Sequence, residues 1–261
     1  MDQPVSIEPS ERMTLAPLFA EHRHLRTCVN AVLQGYCGVA HADGKCNARV
    51  AKLVIGPLSC GTQLTFFGGD TAHPLARKLI EELPADNAIW LPNDAWHEAI
   101  LRAHGERLKT CGRYSFSGDR LDIEHLHALA SAIPEGIEIK RMDVELARRV
   151  AEEVSPDQYS EEFGTHEEFV ERGVGFCAIA GERIICGAIS GSMCDGHIEI
   201  QVNTTEPYRR KGIAAAVCAT LVTYCMKHGL EPHWDADNGI SVNLAKKLGY
   251  VLAEEYDIVM I

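Results

Sequence analysis

The chain has 261 residues and a mass of 28.7 kDa, with 46% hydrophobic and 24% charged residues, a globular composition that excludes collagen-like repeats and wholesale disorder. Twenty-five Lys and Arg stand against 37 Asp and Glu, a formal net charge of −12, so no basic surface broad enough for a polyanionic duplex is expected and nucleic acid is set aside as a partner. A chain of this length buries a core without help from disulfides or a structural metal.

The opening residues, MDQPVSIEPSERM, lack a basic segment followed by an apolar one, and no later run reaches the length of a membrane span. A soluble, cytoplasmic protein with no membrane partner is expected. The ten cysteines lie scattered in apolar segments such as GVGFCAIA, IICGAI and AAAVCATLVTYC, where they read as small core residues of a reducing compartment. There is no Cys-x-x-Cys, and the pairs His22/His24 and His125/His127 diverge on a helix, so no metal is expected.

In chain order, residues 11–34 carry Leu15, Leu18, Phe19, His22, Leu25, Val29 and Leu33 at helical spacing, which predicts a helix. Strands are predicted at 48–55 and 62–67, a turn at Gly68-Gly69-Asp70, a helix at 73–83 and a short strand at 88–91. Asn93 or Asp94 caps a helix to His104, and 108–116 is extended. The glycine pair lacks the frame of a phosphate loop and reads as a turn. A helical patch at 123–132 leads into Ile133-Pro134-Glu135-Gly136, whose composition suits a domain boundary. The expected division is an N-terminal α/β domain over 1–118, a linker with helix over 119–136, and a second domain over 137–261.

The second domain reads as strand 137–141, helix 144–154, an acidic segment, and helix 166–172. Strands follow at 175–180, 183–190 and 197–204, then a helix at 212–228, a strand at 230–235, a helix from about 241 to 248 and a closing strand at 255–261. From Ile137 onward there are 12 Lys and Arg against 21 Asp and Glu, so −9 of the charge falls there and −3 in the first part. The fold class is α/β with a mixed sheet.

The chemistry concentrates in IEIQVNTTEPYRRKGIAAAVCATLVTYCMKH, residues 198–228, a strand, a turn and a helix. Arg209, Arg210 and Lys211 crowd a helix N-terminus, where the dipole already makes the potential positive and each cation is misplaced by roughly 0.3–1 kcal/mol. An anion on the turn resolves the conflict: exposed N–H groups from Lys211 through Gly212 and Ile213 to Ala214 would hold phosphate oxygens, and Gly212 lets the backbone approach closely. The plain alternative is a solvated basic turn.

Arg209-x-x-Gly212-x-Ala214 between a strand and an alanine-rich helix resembles motif A of the GNAT (N-acetyltransferase) superfamily, whose pattern is Gln/Arg-x-x-Gly-x-Gly/Ala. Trp234-Asp235-Ala236-Asp237-Asn238-x-x-Ser241-x-x-Leu244-Ala245-x-Lys247-Leu248-Gly249-Tyr250 is similar to the closing strand, helix and strand of that superfamily. With TCVNAVLQG at 27–35 and the HWDADN run, the chain looks closest to the group typified by zwittermicin A resistance acetyltransferases, in which the first half is its own α/β unit.

The resemblance implies a C-terminal acyl-CoA N-acyltransferase fold, acetyl-CoA as co-substrate, and a diphosphate held on residues 209–214. It places pantetheine against the strand backbone of Val202, Asn203 and Thr204, where a neighbouring strand splays away, with a backbone N–H near Thr204 supporting the oxyanion. Asn238, otherwise an ordinary N-cap, would contact the pantetheine or the thiol, with Ser241 beside it. A substrate ammonium has a pKa of about 10 and needs a base. Glu199, near the superfamily's base position, is the candidate, against the alternative of an exposed strand glutamate. Glu199, Gln201 and Asn203 share one strand face and Ile198, Ile200 and Val202 the other, so which face lines the cleft depends on a bulge.

Many superfamily members carry a tyrosine seven residues after the asparagine as general acid; here that position is Ala245. Tyr250, His233 or Ser241 would substitute, or the thiolate leaves unassisted. The segment 150–171 holds Glu152, Glu153, Asp157, Glu161, Glu162, Glu167, Glu168 and Glu171 with no Lys or Arg, either a rim attracting a cationic amine or a solvated face. Tyr159, Phe163 and Phe169 would line a pocket or anchor the loop. The expected reaction is acetyl transfer to a primary amine of a small, cationic, antibiotic-like molecule, with a homodimer left open. The rivals are a non-catalytic CoA-binding regulator and a protein or peptide acetyltransferase.

Overall fold

A computed structural model describes residues 3–58, 61–155 and 161–261, in two compact units: Met1–Gly112 with Tyr256–Ile261, and Arg113–Glu255. In chain order the elements are β1 (Val5–Ile7), α1 (Arg26–Leu33), β2 (Val39–Ala42), β3 (Val50–Ile55), β4 (Gln63–Gly69), α2 (Pro74–Glu81), β5 (Asn87–Trp90), α3 (Asp94–His104) and β6 (Lys109–Ser117). They continue with α4 (Ile123–Ser131), β7 (Ile137–Arg141), α5 (Val144–Glu153), α6 (His166–Arg172), β8 (Gly175–Ala180), β9 (Arg183–Cys194) and β10 (His197–Thr204). Last come α7 (Ile213–Lys227), β11 (Glu231–Ala236), α8 (Gly239–Leu248) and β12 (Val251–Met260).

In the first unit β1 to β4 pair antiparallel in order, β5 joins parallel to β4 across α2, and Val259 and Met260 at the end of β12 run antiparallel to Ile89 and Ala88. One face packs Leu53 and Phe66 against Leu15, Phe19 and Val29; the other packs Phe67 and Ile89 against Leu79 and Trp96. Burial on both faces explains why β3 reads VAKLVI, nearly continuous in apolar residues.

The helix expected over 11–34 is broken. Residues Pro9–Phe19 form a 3-10 helix containing Pro17, which has no N–H to give to a regular α-helical ladder, and α1 starts only after Leu25 at φ 46°. The turn expected at Gly68-Gly69 is the end of β4. Gly69 has φ +88°, and a Cβ there would lie 2.0 Å from the Arg49 carbonyl oxygen, so glycine serves close strand packing.

In the second unit β7 to β10 pair antiparallel, β11 joins parallel to β10 across α7, and β6 runs antiparallel to β11. The pairing scheme repeats that of the first unit. One face carries α4, α7 and α8 over Ile198, Val217, Leu221 and Trp234; the other carries α5 and α6 over Cys177, Ile184 and Ile189. Helix α7 is buried on nearly all sides, which is why its sequence is apolar around the whole circumference. It ends where Leu230 N–H reaches the Cys225 carbonyl across Gly229 at φ +70°, a Schellman closure.

The linker expected over 119–136 lies inside this unit, because α4 packs on α7 with Leu126 fully buried. Pro134 and Gly136 make a turn, closed by the Ile137 N–H on the Pro134 carbonyl. The closing strand begins at Val251, four residues before the expected Glu255, since its first half is polar and mostly exposed. No helix among the described residues is long and apolar enough to cross a membrane. Cys177, Cys186, Cys218 and Cys225 are buried, as their apolar settings implied, and so is Cys194.

Candidate functional site

Strands β10 and β11 share a ladder only at His197–Glu199 against Glu231–His233. Beyond it β10 continues to Thr204 along β9, while β11 continues to Ala236 along β6. Two parallel strands therefore splay, and Val202, Asn203 and Thr204 stand on β10 past the last rung. Peptide-like ligands bind where a ladder stops, because backbone donors and acceptors still need partners there.

Past β10 the chain makes a 3-10 turn at Glu206–Tyr208 and reaches the basic tripeptide. The Arg209 Nε donates to the Thr204 carbonyl at 3.0 Å, so this side chain braces the turn against the strand end. The Lys211 ammonium lies 5.2 Å over the Tyr208 ring, and Arg210 adopts φ +61°, a left-handed backbone that a non-glycine residue rarely takes. Gly212 is the N-cap of α7 at φ 83°, with no side-chain cap on the first turn. The first helical bond is Ala216 N–H to the Gly212 carbonyl, so the N–H groups of Ile213 and Ala214 precede the intrahelical ladder. Among the other described α-helices, α2 to α6 and α8 each have a side-chain cap, and α1 shares this lack with α7.

The matching turn of the first unit is closed from within. There the His73 ring accepts the Leu75 N–H at the start of α2, and Asp70 accepts the Ala72 N–H. The carbonyls of Phe67 and Gly69 at the end of β4 take bonds from His22 at 2.7 Å and Trp96 at 3.2 Å. One pairing scheme thus yields a sealed turn in one unit and an open one in the other.

Asn238 caps α8: its Oδ1 accepts the N–H groups of Ile240 and Ser241 at 2.9 and 3.0 Å, and its Nδ2 donates to Asp237. Replacing Asn238 with Ala is expected to cost about 1 kcal/mol of stability, read as a lowered urea midpoint at unchanged slope. The Ser241 hydroxyl accepts the Trp234 indole N–H at 3.1 Å, which ties the helix to β11.

The bulge that decides the face of Glu199 lies on β9. Glu199 faces Ser192 and Ile200 faces Ser190, which leaves Gly191 as the extra residue. Ile198, Ile200 and Val202 pack toward α7, and Gln201 stands opposite Ile189, whose core lies under α5 and α6. Glu199 shares the Gln201 face. Its Oε1 is fully enclosed and has no hydrogen-bond partner, although the residue as a whole is only half-buried. Burial and the neighbouring Asp235 carboxylate push its carboxyl up to about 8, against the pull of the Arg113 guanidinium and of a hydrogen bond from the Asp235 backbone. Arg113 on β6 donates to Asp235 on β11 at 2.5 Å, and Asp235 is 5% exposed. A buried carboxyl that is protonated at neutral pH and can be relieved of its proton near pH 8 is suited to general base work.

The substitutes considered for the general acid are committed elsewhere. Tyr250 is buried, donates to the Pro232 carbonyl at 2.9 Å, and its phenol is pushed well up by burial. Ala245 is wholly buried, and His233 faces His197. Cys186, next to Thr204, has its thiol pushed up to about 12 by burial and offers no nucleophile.

In the acidic segment Arg148 pairs with Glu152, Arg149 with Glu153, and Arg172 approaches Glu168. These carboxylates are neutralised by arginines of their own helices, as on any salt-bridged helix face. Phe163 and Phe169 form an edge-to-face pair in the core under α5 and α6, which is anchoring and not pocket lining. Asp157 and Tyr159 lie outside the described residues. Of the two residues that set the charge around Glu199, Arg113 was not singled out from sequence, and Asp235 was named only as part of the HWDADN run, with no electrostatic role.

A mixed sheet that opens between two parallel strands, just ahead of a glycine-capped helix start, defines an acyl-CoA N-acyltransferase class of fold. The chain belongs to the GNAT acetyltransferase family, which matches residues 16–259. Over 172 residues, 65% of this chain and 64% of the relative, it is 30% identical to the uncharacterized N-acetyltransferase YdfB of Bacillus subtilis (strain 168), so the match spans under two thirds of that protein. A crystal structure of a GCN5-related N-acetyltransferase-like protein from Streptococcus suis 89/1591 is 28% identical with a TM-score of 0.81, covering 96% of this chain and 98% of that one. A tandem GNAT protein from the clavulanic acid biosynthesis pathway shares the fold at 12% identity and a TM-score of 0.61, covering 99% and 98%.

Proposed function

We propose that the second unit binds acetyl-CoA in the splay between β10 and β11 and transfers the acetyl group to a primary amine. The observation that carries this reading is the ladder ending at Glu199 next to an uncapped α7 start with Gly212 at φ 83°. Residues Lys211 to Ala214 would hold the diphosphate through backbone N–H groups, with the charges of Arg210 and Lys211 alongside and Arg209 bracing the turn. Val202, Asn203 and Thr204 would pair with the pantetheine amides, and Asn238 and Ser241 border the site from α8. Acetyl-CoA supplies an acetyl group activated as a thioester. Glu199 takes a proton from the substrate ammonium, directly or through water, and the freed amine forms a C–N bond at the thioester carbon; a backbone N–H near Thr204 donates to the thioester oxygen, the nitrogen gives its second proton to solvent, and the C–S bond breaks. The departing thiol needs no acid, because a pKa of about 8.5 makes its thiolate a fair leaving group.

The finer reading is a small cationic acceptor of the kind handled by the zwittermicin A resistance group, with a cytoplasmic setting. It rests on the resemblance and on the −9 charge from Ile137 onward, which attracts cations over distance. The arginine partners of Glu152, Glu153 and Glu168 support attraction by the summed field over attraction by a local rim.

A thiol-release assay with acetyl-CoA and a panel of polyamines, aminopolyols and peptides tests this reading. Turnover on free amines is expected. Tight CoA binding without turnover on any amine would make the protein a regulator, a reading that Ala245 favours, and acetylation of peptides alone would select a protein acetyltransferase.

A further inference from the structure

Along the β10–β11 ladder, three side chains converge that the acyl-transfer reading does not use. His197 stands directly across from Glu231, and His233 follows Glu231 by two residues, so all three project from one face of two hydrogen-bonded strands. The His197 Nδ1 lies 3.1 Å from the His233 Nε2; the Glu231 Oε2 lies 3.5 Å from the first and its Oε1 3.7 Å from the second. We propose that His197, Glu231 and His233 form a binding site for a zinc-class divalent cation, with a fourth position open to water.

The distances carry the argument. Metal bonds of about 2.0–2.1 Å at tetrahedral angles set neighbouring ligand atoms about 3.4 Å apart; the two ring nitrogens and the carboxylate oxygen nearest each of them stand close to that length, and one ligand atom from each residue lies within 4.8 Å of the others. A hydrogen bond between two imidazoles accounts for the first contact only. The carboxylate approaches both rings yet stops beyond hydrogen-bond distance of either, which is where a ligand to a shared ion would stand. Two imidazole nitrogens and one carboxylate oxygen select zinc, copper or nickel over magnesium or calcium, which favour all-oxygen shells. The ligands stand on paired strands, so little ordering is needed on binding. The ion would clip β10 to β11 along the whole ladder, from the first rung at His197 to the last at His233, which pairs with Glu199. The sequence concealed the set, since its members are 34 and 36 residues from His197.

The test uses the full chain, stripped with a chelator and titrated with zinc against a chromogenic competitor, beside His197→Gln and His233→Gln. The wild type is expected to hold one zinc per chain that each variant binds about 100-fold more weakly. Cobalt substituted for zinc should show tetrahedral visible absorption without thiolate charge transfer, which separates this site from the cysteines. Circular dichroism of the metal-free forms should match, so that the loss reflects ligands and not folding. Equal zinc binding by wild type and variants, a thiolate spectrum, or no zinc held by the wild type would overturn the proposal.

Discussion

Replacing Gly212 with Glu is expected to abolish coenzyme A binding, at least 100-fold in Kd by titration calorimetry, while the fold persists. Two effects act together. A carboxylate is placed where the proposed reading seats the diphosphate, and like charges brought together cost several kcal/mol, against 1.4 kcal/mol per tenfold in affinity. The residue also has φ 83°, where a side chain costs about 1–2 kcal/mol. A Cβ at Gly212 meets nothing within 4 Å, so no clash propagates into the core. Gly212→Asn separates the two effects: asparagine tolerates the left-handed backbone and adds no charge, so it should retain affinity within about tenfold. Equal affinity in wild type and Gly212→Glu would remove the diphosphate from this turn.

The second large effect is on rate. Glu199→Gln keeps shape and loses the proton acceptor, so kcat should fall by about 100-fold to 10,000-fold with CoA affinity unchanged. The pH dependence follows from a carboxyl whose value is raised to about 8 by burial. Below that pH the group holds its proton and cannot accept another, so in chelator-treated wild type kcat/KM should rise with pH and level off above about 8. The Gln variant should lack this inflection. Asp235→Asn removes the charge that helps hold the value up, and the inflection should move to lower pH. A Gln variant with wild-type kcat and an unchanged profile would exclude Glu199 as the base.

The turn at 209–214 was legible in the sequence because its signal is local: three cations at a helix start violate the dipole preference, and a glycine follows. Helices α2 to α8 and the strands β7 to β11 were legible for the same reason, since periodicity and caps lie within each segment. Three features were not. The short strands β1 and β2, VSI and VAHA, carry too few residues for alternation to register. The repeated pairing scheme of the first unit was hidden because its turn at Gly69 to Pro74 is sealed by His22, Trp96 and His73, residues drawn from distant segments. The setting of Glu199 depends on Arg113 and Asp235, 122 residues apart, and on a bulge at Gly191 that only strand pairing reveals. Local chemistry announces itself in a sequence, whereas the electrostatics of a buried carboxylate belong to the assembled sheet.

The most direct measurement is a crystal structure of the full chain with coenzyme A bound. The diphosphate oxygens should accept hydrogen bonds from the backbone N–H groups between Lys211 and Ala214, with pantetheine running along Val202 to Thr204 toward Glu199. A diphosphate seated elsewhere, or a pantetheine arm outside the β10–β11 splay, would contradict the account.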